Sequence, residues 1–335
     1  MYNYAIIGFG GLGRVHLVNL LKLQKKRGDI CLKAICGTTP DKVNENIKIN
    51  IGTADISRVD FTDVSFYDDY KDMVAEGGID FVVSVLPTYL HEEVAVYCLE
   101  HGIHVFAEKP MALTLEGCDN MINAAKENNV KLMVGQCLRF ESAYHTLKRY
   151  VYNERFGAVR SARFTRYSQT PMWTWKNWII DPEKSGGAPL DLHIHDVDFI
   201  NWCFGMPKKI RSFMTDKKVG AESIFTRYFY DGFSVNAEAD WSMTSEFPFE
   251  SRCIVNFEEA TAVIEKDILT IYTDEDVIIP ERNTKDHFLK EMEAFLKYII
   301  DDIPCDITSA ESVRESTRLA LLEVESAKND IEIEL

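Results

Sequence analysis

The sequence lacks the features of several large protein classes. It contains no run of about 18 apolar residues, and its first ten residues have neither the basic start nor the apolar stretch of a secretory signal. Basic charge is scarce, with 37 Lys and Arg against 53 Asp and Glu and a formal net charge of −16. Binding to nucleic acid or to an anionic membrane surface depends on clustered Lys and Arg. We therefore expect a small-molecule partner rather than nucleic acid or a membrane.

Paired cysteine motifs are also missing. The eight cysteines are scattered, mostly among apolar residues, and form no C-x-x-C pair. This distribution is typical of buried thiols in a reducing compartment and not of a disulfide framework or a zinc site. The sequence thus predicts a cytoplasmic protein without disulfides. The cysteines are Cys31, Cys36, Cys98, Cys118, Cys137, Cys203, Cys253 and Cys305.

The sequence does contain many apolar residues, which make up 46% of its 335 positions, and its length is enough for about two folded domains. In the first part of the chain, short apolar runs alternate with helical patterns, which is typical of a parallel sheet with crossover helices. The predicted strands are Tyr4–Ile7, Leu32–Cys36, Val64–Tyr67, Phe81–Leu86, Ile103–Ala107 and Lys131–Val134. The predicted helices are Leu12–Lys26, Pro40–Asn50, Tyr70–Glu76, His91–His101 and Leu115–Asn128.

After residue 135 the apolar period changes to alternation, which predicts a large, open, mainly antiparallel sheet in an α+β domain. The predicted strands are Arg160–Tyr167, Ile210–Thr215, Ser223–Tyr230, Ser234–Trp241, Arg252–Asn256 and Thr261–Ile264, with Asp231-Gly232 as a hairpin turn. The predicted helices are Ser142–Glu154, Asp191–Phe204, Lys285–Asp301 and Ser309–Lys328. We predict a doubly wound Rossmann domain over residues 1–130 and the α+β domain over 131–335.

A glycine motif follows the first predicted strand and opens the first predicted helix. It consists of Gly8, Phe9, Gly10, Gly11, Leu12 and Gly13. Glycines allow the sharp turn, the close approach of the backbone to a pyrophosphate, and the packing of the helix on the strand. The motif predicts a dinucleotide site; the alternative is a glycine-rich turn without a ligand.

The end of the second predicted strand bears on the choice of nucleotide. An acidic residue that binds the adenosine 2′-hydroxyl is expected about 20 residues after the last glycine. The chain instead has Gly37, Thr38 and Thr39, and its first carboxylate there is Asp41. Since no carboxylate would repel a 2′-phosphate and the two threonines can donate to it, we predict NAD(P) with a slight preference for NADP.

A lysine ends the fifth predicted strand. In an open α/β sheet, ligands bind beyond the carboxyl ends of the strands, which is where Lys109 lies. Its amine can donate to a substrate oxygen or, when desolvated, accept a proton. The alternative is an ordinary surface lysine, but Pro110 directly after it favours a constrained turn.

A glycine-rich turn at 186–187 leads into a segment with one aspartate and two histidines. In a helix, Asp191 and His195 are four residues apart on one face, and a carboxylate beside an imidazole makes a general base. In an extended segment, both would share a face with His193, as in a metal site. A third possibility is a purely structural histidine.

At these residues the chain resembles the Gfo/Idh/MocA family of sugar and cyclitol oxidoreductases, to which glucose–fructose oxidoreductase and inositol dehydrogenase belong. The resemblance extends over nearly the whole chain. The matching segments are the glycine motif at 8–13, the L-P-T-Y-L-H segment at 86–91, H-V-F-A-E-K-P at 104–110, G-Q-C-L-R-F at 135–140 and the segment at 186–198.

The resemblance implies a Rossmann domain, a second domain whose open sheet forms a homo-oligomer interface, and a sugar or cyclitol substrate. It also implies that Lys109, Asp191 and His195 are catalytic. His195 would be the general acid/base, Lys109 would hold or shuttle the same proton, and Asp191 would orient His195 or a neighbouring hydroxyl. The cofactor would contact Leu86, Pro87, His91 and Glu108 in addition to the glycine motif.

Two positions depart from the family pattern. His193 stands where many relatives have glycine, and Gly37 stands where NAD-preferring relatives have an acidic residue. We therefore expect an extra imidazole among the substrate residues, together with Arg139. Trp173, in an aromatic-rich segment before the glycine turn, is a further candidate because indole stacks on sugar rings; the alternative is an aromatic cover of the domain edge.

The sequence as a whole predicts an NAD(P)-dependent dehydrogenase or reductase that acts on a secondary hydroxyl or the matching carbonyl of a sugar, sugar derivative or cyclitol. One alternative is a metal-dependent hydrolase that uses Asp191, His193 and His195. The other is a dinucleotide-sensing protein without turnover.

Overall fold

The structure, a computed structural model, describes residues 1–44, 54–215 and 220–335. The strands are β1 Tyr2–Ile7, β2 Ile30–Cys36, β3 Ser65–Tyr67, β4 Phe81–Ser84, β5 His104–Glu108, β6 Leu132–Gly135, β7 Val159–Gln169, β8 Lys209–Thr215, β9 Ser223–Phe229, β10 Ser234–Met243, β11 Glu250–Phe257, β12 Thr261–Glu265, β13 Ile268–Tyr272, β14 Val277–Ile278 and β15 Glu332–Glu334. The α-helices are α1 Gly11–Arg27, α2 Tyr70–Glu76, α3 His91–Glu100, α4 Leu115–Glu127, α5 Ser142–Tyr152, α6 Pro182–Ser185, α7 Ile194–Phe204, α8 His287–Ile300 and α9 Ala310–Asn329. Short 3₁₀ turns cover Thr88–Leu90, Cys137–Arg139 and Trp175–Ile180, and a π turn covers Pro189–His193.

The chain divides into two compact units. Unit 1 contains Met1–Ala112, Glu116–Gly135 and Lys285–Glu311, and unit 2 contains Leu113–Leu115, Gln136–Thr284 and Ser312–Leu335. The division predicted after residue 130 therefore differs from the observed units in three respects. Strand β6 belongs to unit 1, and so does the late segment Lys285–Glu311, which carries α8, whereas Leu113–Leu115 belongs to unit 2.

Unit 1 is built on a six-stranded sheet in the order β3-β2-β1-β4-β5-β6, in which every pairing is parallel. Strand β4 is buried at all four positions, and so is β6. Continuous burial is what a parallel sheet covered on both faces requires. The strand order is that of a Rossmann fold, which confirms the predicted fold class of this part of the chain.

Helix α8 completes unit 1 from a distant part of the sequence. Its N-cap residue, Asp286, accepts from the backbone N–H of Phe288 at 2.9 Å and from the side-chain amide of Asn19 in α1 at 3.1 Å. The ring of Phe295 packs against Phe81 in β4 and Phe106 in β5, at centroid distances of 5.8 and 5.7 Å. Because helical periodicity does not tell which sheet a helix covers, the sequence predicted this helix but not its place.

Unit 2 is built on a nine-stranded sheet in the order β14-β13-β12-β11-β7-β10-β9-β8-β15. The β7–β10 pairing is parallel and the others are antiparallel, so the predicted open, mainly antiparallel sheet is confirmed. Alternate residues of β10 are buried on one face of the sheet. On that face, Phe199 of α7 packs against Phe164 of β7 and Tyr144 of α5, at centroid distances of 5.9 and 4.9 Å.

Three short strands, β13, β14 and β15, were not predicted. The hairpin between β12 and β13 turns at Lys266 and Asp267, whose φ angles of 49° and 60° are left-handed without glycine, so the usual turn signal is absent. The predicted helix Pro40–Asn50 is also wrong at its start, because residues 40–44 form a turn. The rest of that prediction lies outside the described residues. Within the described ranges, none of the helices is both long and apolar enough to span a membrane.

Candidate functional site

The glycine motif forms the connection between β1 and α1. Gly8 has a φ of +91°, and a Cβ there would lie 2.2 Å from the carbonyl oxygen of Val85. A Cβ on Gly13 would lie 2.2 Å from the carbonyl oxygen of Gly8, whereas a Cβ on Gly10 would meet no described atom within 4 Å. Two glycines are thus required by the fold itself, and the third borders open space.

The start of α1 has the properties of an anion site. Gly10 is its N-terminal cap and has no side chain to occupy the first backbone N–H groups, and the first turn contains no acidic residue. The positive end of a helix dipole together with a glycine cradle fits a dinucleotide pyrophosphate. These residues therefore fit the cofactor that the sequence predicts.

The end of β2 borders the same loop. The backbone N–H of Gly8 donates to the carbonyl oxygen of Cys36 at 3.0 Å, and that of Gly37 donates to the carbonyl oxygen of Tyr67 in β3 at 2.9 Å. Gly37 has a φ of +94°, and Thr38 and Thr39 follow it as half-buried residues. The predicted nucleotide-selecting residues thus lie next to the glycine motif.

Sequence reasoning missed two carboxylates beside this position. Asp68 and Asp69 follow β3, the neighbour of β2, and so lie beside the strand end without following it in sequence. Burial, and then the negative charges of Asp69 and Asp68, raise the pKa of Cys36 to about 12. Only the strand order, which places β3 against β2, could have indicated them.

His91 links two of the predicted cofactor-side segments. It is fully buried, with Nε2 at 2.9 Å from the carbonyl oxygen of Leu86 and Nδ1 at 2.7 Å from that of Pro110. Burial lowers its pKa below the ordinary value of 6.5. The buried ring of His91 therefore links the backbone before Pro87 to the backbone after Lys109. Leu86 and Pro87 themselves are half-buried.

Glu108 is the last residue of β5, and Lys109 follows it. The carboxylate of Glu108 is buried, its Oε1 lies 2.6 Å from Nε2 of His16 in α1, and its Oε2 accepts from the backbone N–H of Lys109 at 3.2 Å. Lys109 is half-buried and precedes Pro110 through a cis peptide bond. The Glu108 side chain thus ties the helix of the glycine motif to the backbone of the candidate catalytic lysine.

A second carboxyl group lies near this pair. Glu291 of α8 is fully buried, and neither of its oxygens has a hydrogen-bond partner among the described residues. Burial, followed by the negative charges of Glu108 and Asp286, raises its pKa well above the ordinary value of 4.5. Glu291 therefore keeps its proton at pH values at which an exposed glutamate is ionised.

In unit 2, Asp191 and His195 lie in the π turn and at the start of α7. Both are half-buried, while the residues between them are buried. Because the segment is helical, the extended arrangement of Asp191, His193 and His195 expected for a metal site does not occur. Among the described residues, no group of three His, Cys, Asp or Glu side chains is placed to hold a metal ion.

His193 has an internal position. It is fully buried, and its Nε2 lies 3.1 Å from Oε2 of Glu323 in α9 and 3.3 Å from the hydroxyl of Tyr228 in β9. The imidazole thus joins the π turn to a helix and to the sheet. The ring is thus enclosed by unit 2, and its expected place among the substrate residues stays a prediction.

Arg139 is enclosed as well, while Trp173 is not. Arg139 is 1% exposed and donates to both carboxylate oxygens of Asp198 in α7, at 2.8 and 2.6 Å. It also donates to the hydroxyl of Ser312 at 2.8 Å. These contacts give Arg139 an internal structural role, and its expected place at the substrate stays a prediction. Trp173 is 46% exposed, as a stacking surface would be.

Family models match both parts of the chain. The model of the Gfo/Idh/MocA oxidoreductase family with an NAD-binding Rossmann fold matches residues 2–136, and the model of a Gfo/Idh/MocA C-terminal domain matches residues 144–263. The two matches follow the order of the two sheets along the chain.

Individual relatives match over shorter stretches. The chain is 33% identical over 146 residues to 2,7-anhydro-N-acetylneuraminate hydratase of Mediterraneibacter gnavus, covering 42% of this chain and 38% of that protein. It is 30% identical over 222 residues to scyllo-inositol 2-dehydrogenase (NADP(+)) of Bacillus subtilis, covering 65% of each. The matches thus span less than two thirds of the length of these curated relatives.

The fold is shared over the full chain. The structure of levoglucosan dehydrogenase in complex with NADH and L-sorbose matches with a TM-score of 0.82 at 17% identity, covering 99% of this chain and 98% of the other. This likeness shows the fold, while the two family models, which together cover most of the chain, show the family. The chain belongs to the Gfo/Idh/MocA family of NAD(P)-binding oxidoreductases.

Proposed function

We propose that this chain transfers a hydride between a bound NAD(P) and a secondary hydroxyl, or the matching carbonyl, of a sugar, sugar derivative or cyclitol. The observation that carries the proposal is the glycine cradle at the start of α1, where Gly8 and Gly13 leave no room for a side chain and Gly10 borders open space. Relatives named for a scyllo-inositol and for levoglucosan support the substrate class.

The nicotinamide, when bound, accepts or donates the hydride. The residues of this chain take up or return the proton that is transferred together with the hydride. In the oxidative direction, His195 takes the proton of the reacting hydroxyl and Asp191 orients His195 or a neighbouring hydroxyl. Lys109 donates to the reacting oxygen, and Glu108 fixes its backbone. In the reductive direction, the same groups return the proton to the oxygen.

The glycine motif, Leu86 and Pro87 would hold the nucleotide, while Glu108 and His91 would position the backbone around it. A preference for NADP rests on the absence of an acid at Gly37, Thr38 and Thr39, and one relative is named for NADP(+). Asp68 and Asp69 act against that preference, because their charges lie near the end of β2.

We also propose that the chain forms a homo-oligomer through the sheet of unit 2. Phe213 and Phe225 are paired across β8 and β9 and are 52% and 38% exposed, which is unusual for two neighbouring phenylalanines. Light scattering after size-exclusion chromatography should find more than one chain per particle, and Phe213→Arg should reduce it to one. An unchanged mass would contradict this interface.

The central experiment is a screen of sugars and cyclitols with NAD⁺ and NADP⁺, following the absorbance of the reduced nicotinamide. A substrate found in this way should lose at least about a hundredfold in kcat with either Lys109→Ala or His195→Ala, while nucleotide binding persists. A protein that binds nucleotide and turns over none of these compounds would be the sensing protein. Activity that requires a stoichiometric transition metal would contradict the proposed chemistry.

A further inference from the structure

A thiol lies beside the candidate general base. The Sγ of Cys137 is 3.6 Å from Nδ1 of His195, and both residues are half-buried. At this distance sulfur takes part in a weak hydrogen bond with a ring nitrogen. A neutral imidazole carries one proton, and the partner of one nitrogen decides on which nitrogen it sits. The group next to Nδ1 therefore helps to decide whether Nε2 has a free lone pair and can accept a proton.

The position of the thiol is fixed by the turn that contains it. Cys137 begins a 3₁₀ turn that ends at Arg139. The two hydrogen bonds from Arg139 to Asp198 attach that turn to α7, three residues after His195, and its bond to Ser312 attaches the turn to α9 as well. A bidentate, fully buried ion pair allows little movement. The contact of the thiol with His195 thus follows from a rigid arrangement.

Two buried ion pairs lie close in sequence to this contact. Arg166 of β7 donates to both oxygens of Asp196 in α7 at 2.9 Å each, and both side chains are buried. Arg139 and Asp198 form the second neutral pair, and Asp191 precedes His195 in the same helical segment. At Nδ1 the structure places a thiol, whereas many general bases have a carboxylate that orients the histidine there.

We propose that Cys137 is a positioning residue that accepts a hydrogen bond from Nδ1–H of His195 and thereby keeps the lone pair on Nε2. This inference rests on the proposed function of His195. In the oxidative direction, Nε2 takes the proton of the substrate hydroxyl, so that the ring becomes an imidazolium with N–H on both sides. In the reductive direction, Nε2 returns that proton and the thiol keeps the proton on Nδ1.

The test compares Cys137→Ala with Cys137→Ser, and uses Cys305→Ala as the control. Cys305 is also a half-buried thiol, but it contacts Met133 and Thr308 in unit 1. Nitrogen NMR of the full-length protein, with labelled histidine and assignment by His195→Ala, reports the tautomer without any substrate. Wild type should carry the proton on Nδ1, Cys137→Ala should shift it towards Nε2, and Cys305→Ala should not change it.

With a substrate from the screen, Cys137→Ala should lower kcat/KM about tenfold and move the acidic limb of its pH profile by about half a unit to lower pH. The hydroxyl in Cys137→Ser should restore part of both effects, and the KM for nucleotide should not change. A purely structural cysteine would lower thermal stability without moving the tautomer or the pH profile, and that result would overturn the inference. If His195→Ala kept its turnover, the assignment of the general base would fail instead.

Discussion

Unit 1 and unit 2 position their candidate site residues by different physical means. In unit 1 the glycine motif is positioned by backbone packing, because Gly8 and Gly13 lie so close to other backbone atoms that no side chain fits. In unit 2 buried ion pairs decide, because Arg139 and Arg166 attach a turn and a strand to α7 through Asp198 and Asp196. The glycines of the first kind lie within one six-residue motif, whereas the ion pairs of the second kind join residues 59 and 30 positions apart.

Removing one partner of a buried ion pair should have the largest effect on stability. Asp198→Asn leaves the Arg139 charge buried without its counter-charge, which should lower the free energy of unfolding by about 3 kcal/mol in chemical denaturation. The control in the same unit is Lys208→Ala, which breaks an ion pair with Asp231 that is mostly exposed and should change the free energy by less than about 0.5 kcal/mol. Equal effects of the two substitutions would contradict the assignment of the order in unit 2 to buried ion pairs.

In unit 1, two glycine substitutions should separate folding from binding. Gly13→Ala forces a Cβ against the carbonyl oxygen of Gly8, so it should lower the free energy of unfolding by about 2 kcal/mol and weaken nucleotide binding more than tenfold. Gly10→Ala meets no described atom and should weaken binding while leaving the melting temperature nearly unchanged. Thermal unfolding measures the stability of each variant, and a fluorescence titration with NADPH measures its affinity for the nucleotide. If Gly10→Ala were the less stable of the two, the backbone explanation would be wrong.

Glu291 should make unit 1 sensitive to pH. Its raised pKa means that the folded chain holds a proton that the unfolded chain releases above about pH 4.5. The free energy of unfolding should therefore fall as pH rises from there towards the raised pKa, by up to about 1.4 kcal/mol per unit. Glu291→Gln removes this dependence. The free energy of unfolding of the variant should therefore equal that of wild type near pH 4.5 and exceed it increasingly at higher pH.

Chemical denaturation at a series of pH values checks this difference. Glu127→Gln, at the exposed end of α4, is the control and should run parallel to wild type. Parallel curves for Glu291→Gln as well would show that the buried carboxyl group does not retain its proton.

The smallest expected effect concerns the choice of nucleotide. Neutralising Asp68 removes a negative charge near the end of β2, so Asp68→Asn should raise the ratio of NADPH to NADH affinity by about threefold. Asp41→Asn, at the position closest in sequence to the expected acid, should change the ratio less. Fluorescence titrations with both nucleotides give the ratio, and a larger effect of Asp41→Asn would favour the sequence neighbour over the spatial one.

The features that depend on local sequence could be predicted, and those that depend on distant partners could not. The Rossmann sheet, the open sheet and the glycine motif were predictable, because periodicity and backbone constraints are local. The enclosure of His193 by Glu323 and Tyr228 was not, since these partners come from a late helix and from a strand of the sheet. The same holds for the pairing of Arg139 with Asp198. An isolated arginine or histidine in a motif looks the same whether it faces a ligand or a buried carboxylate.

The return of residues 285–311 to unit 1 has a consequence for how this protein is made. During synthesis, the nucleotide-binding sheet emerges first, but the ring that covers Phe81 and Phe106 arrives only with Phe295. A ribosome must therefore translate nearly the whole chain before the first core can close. For the same reason, a fragment cut at residue 136, where the first family model ends, would expose apolar surface and should aggregate when expressed alone.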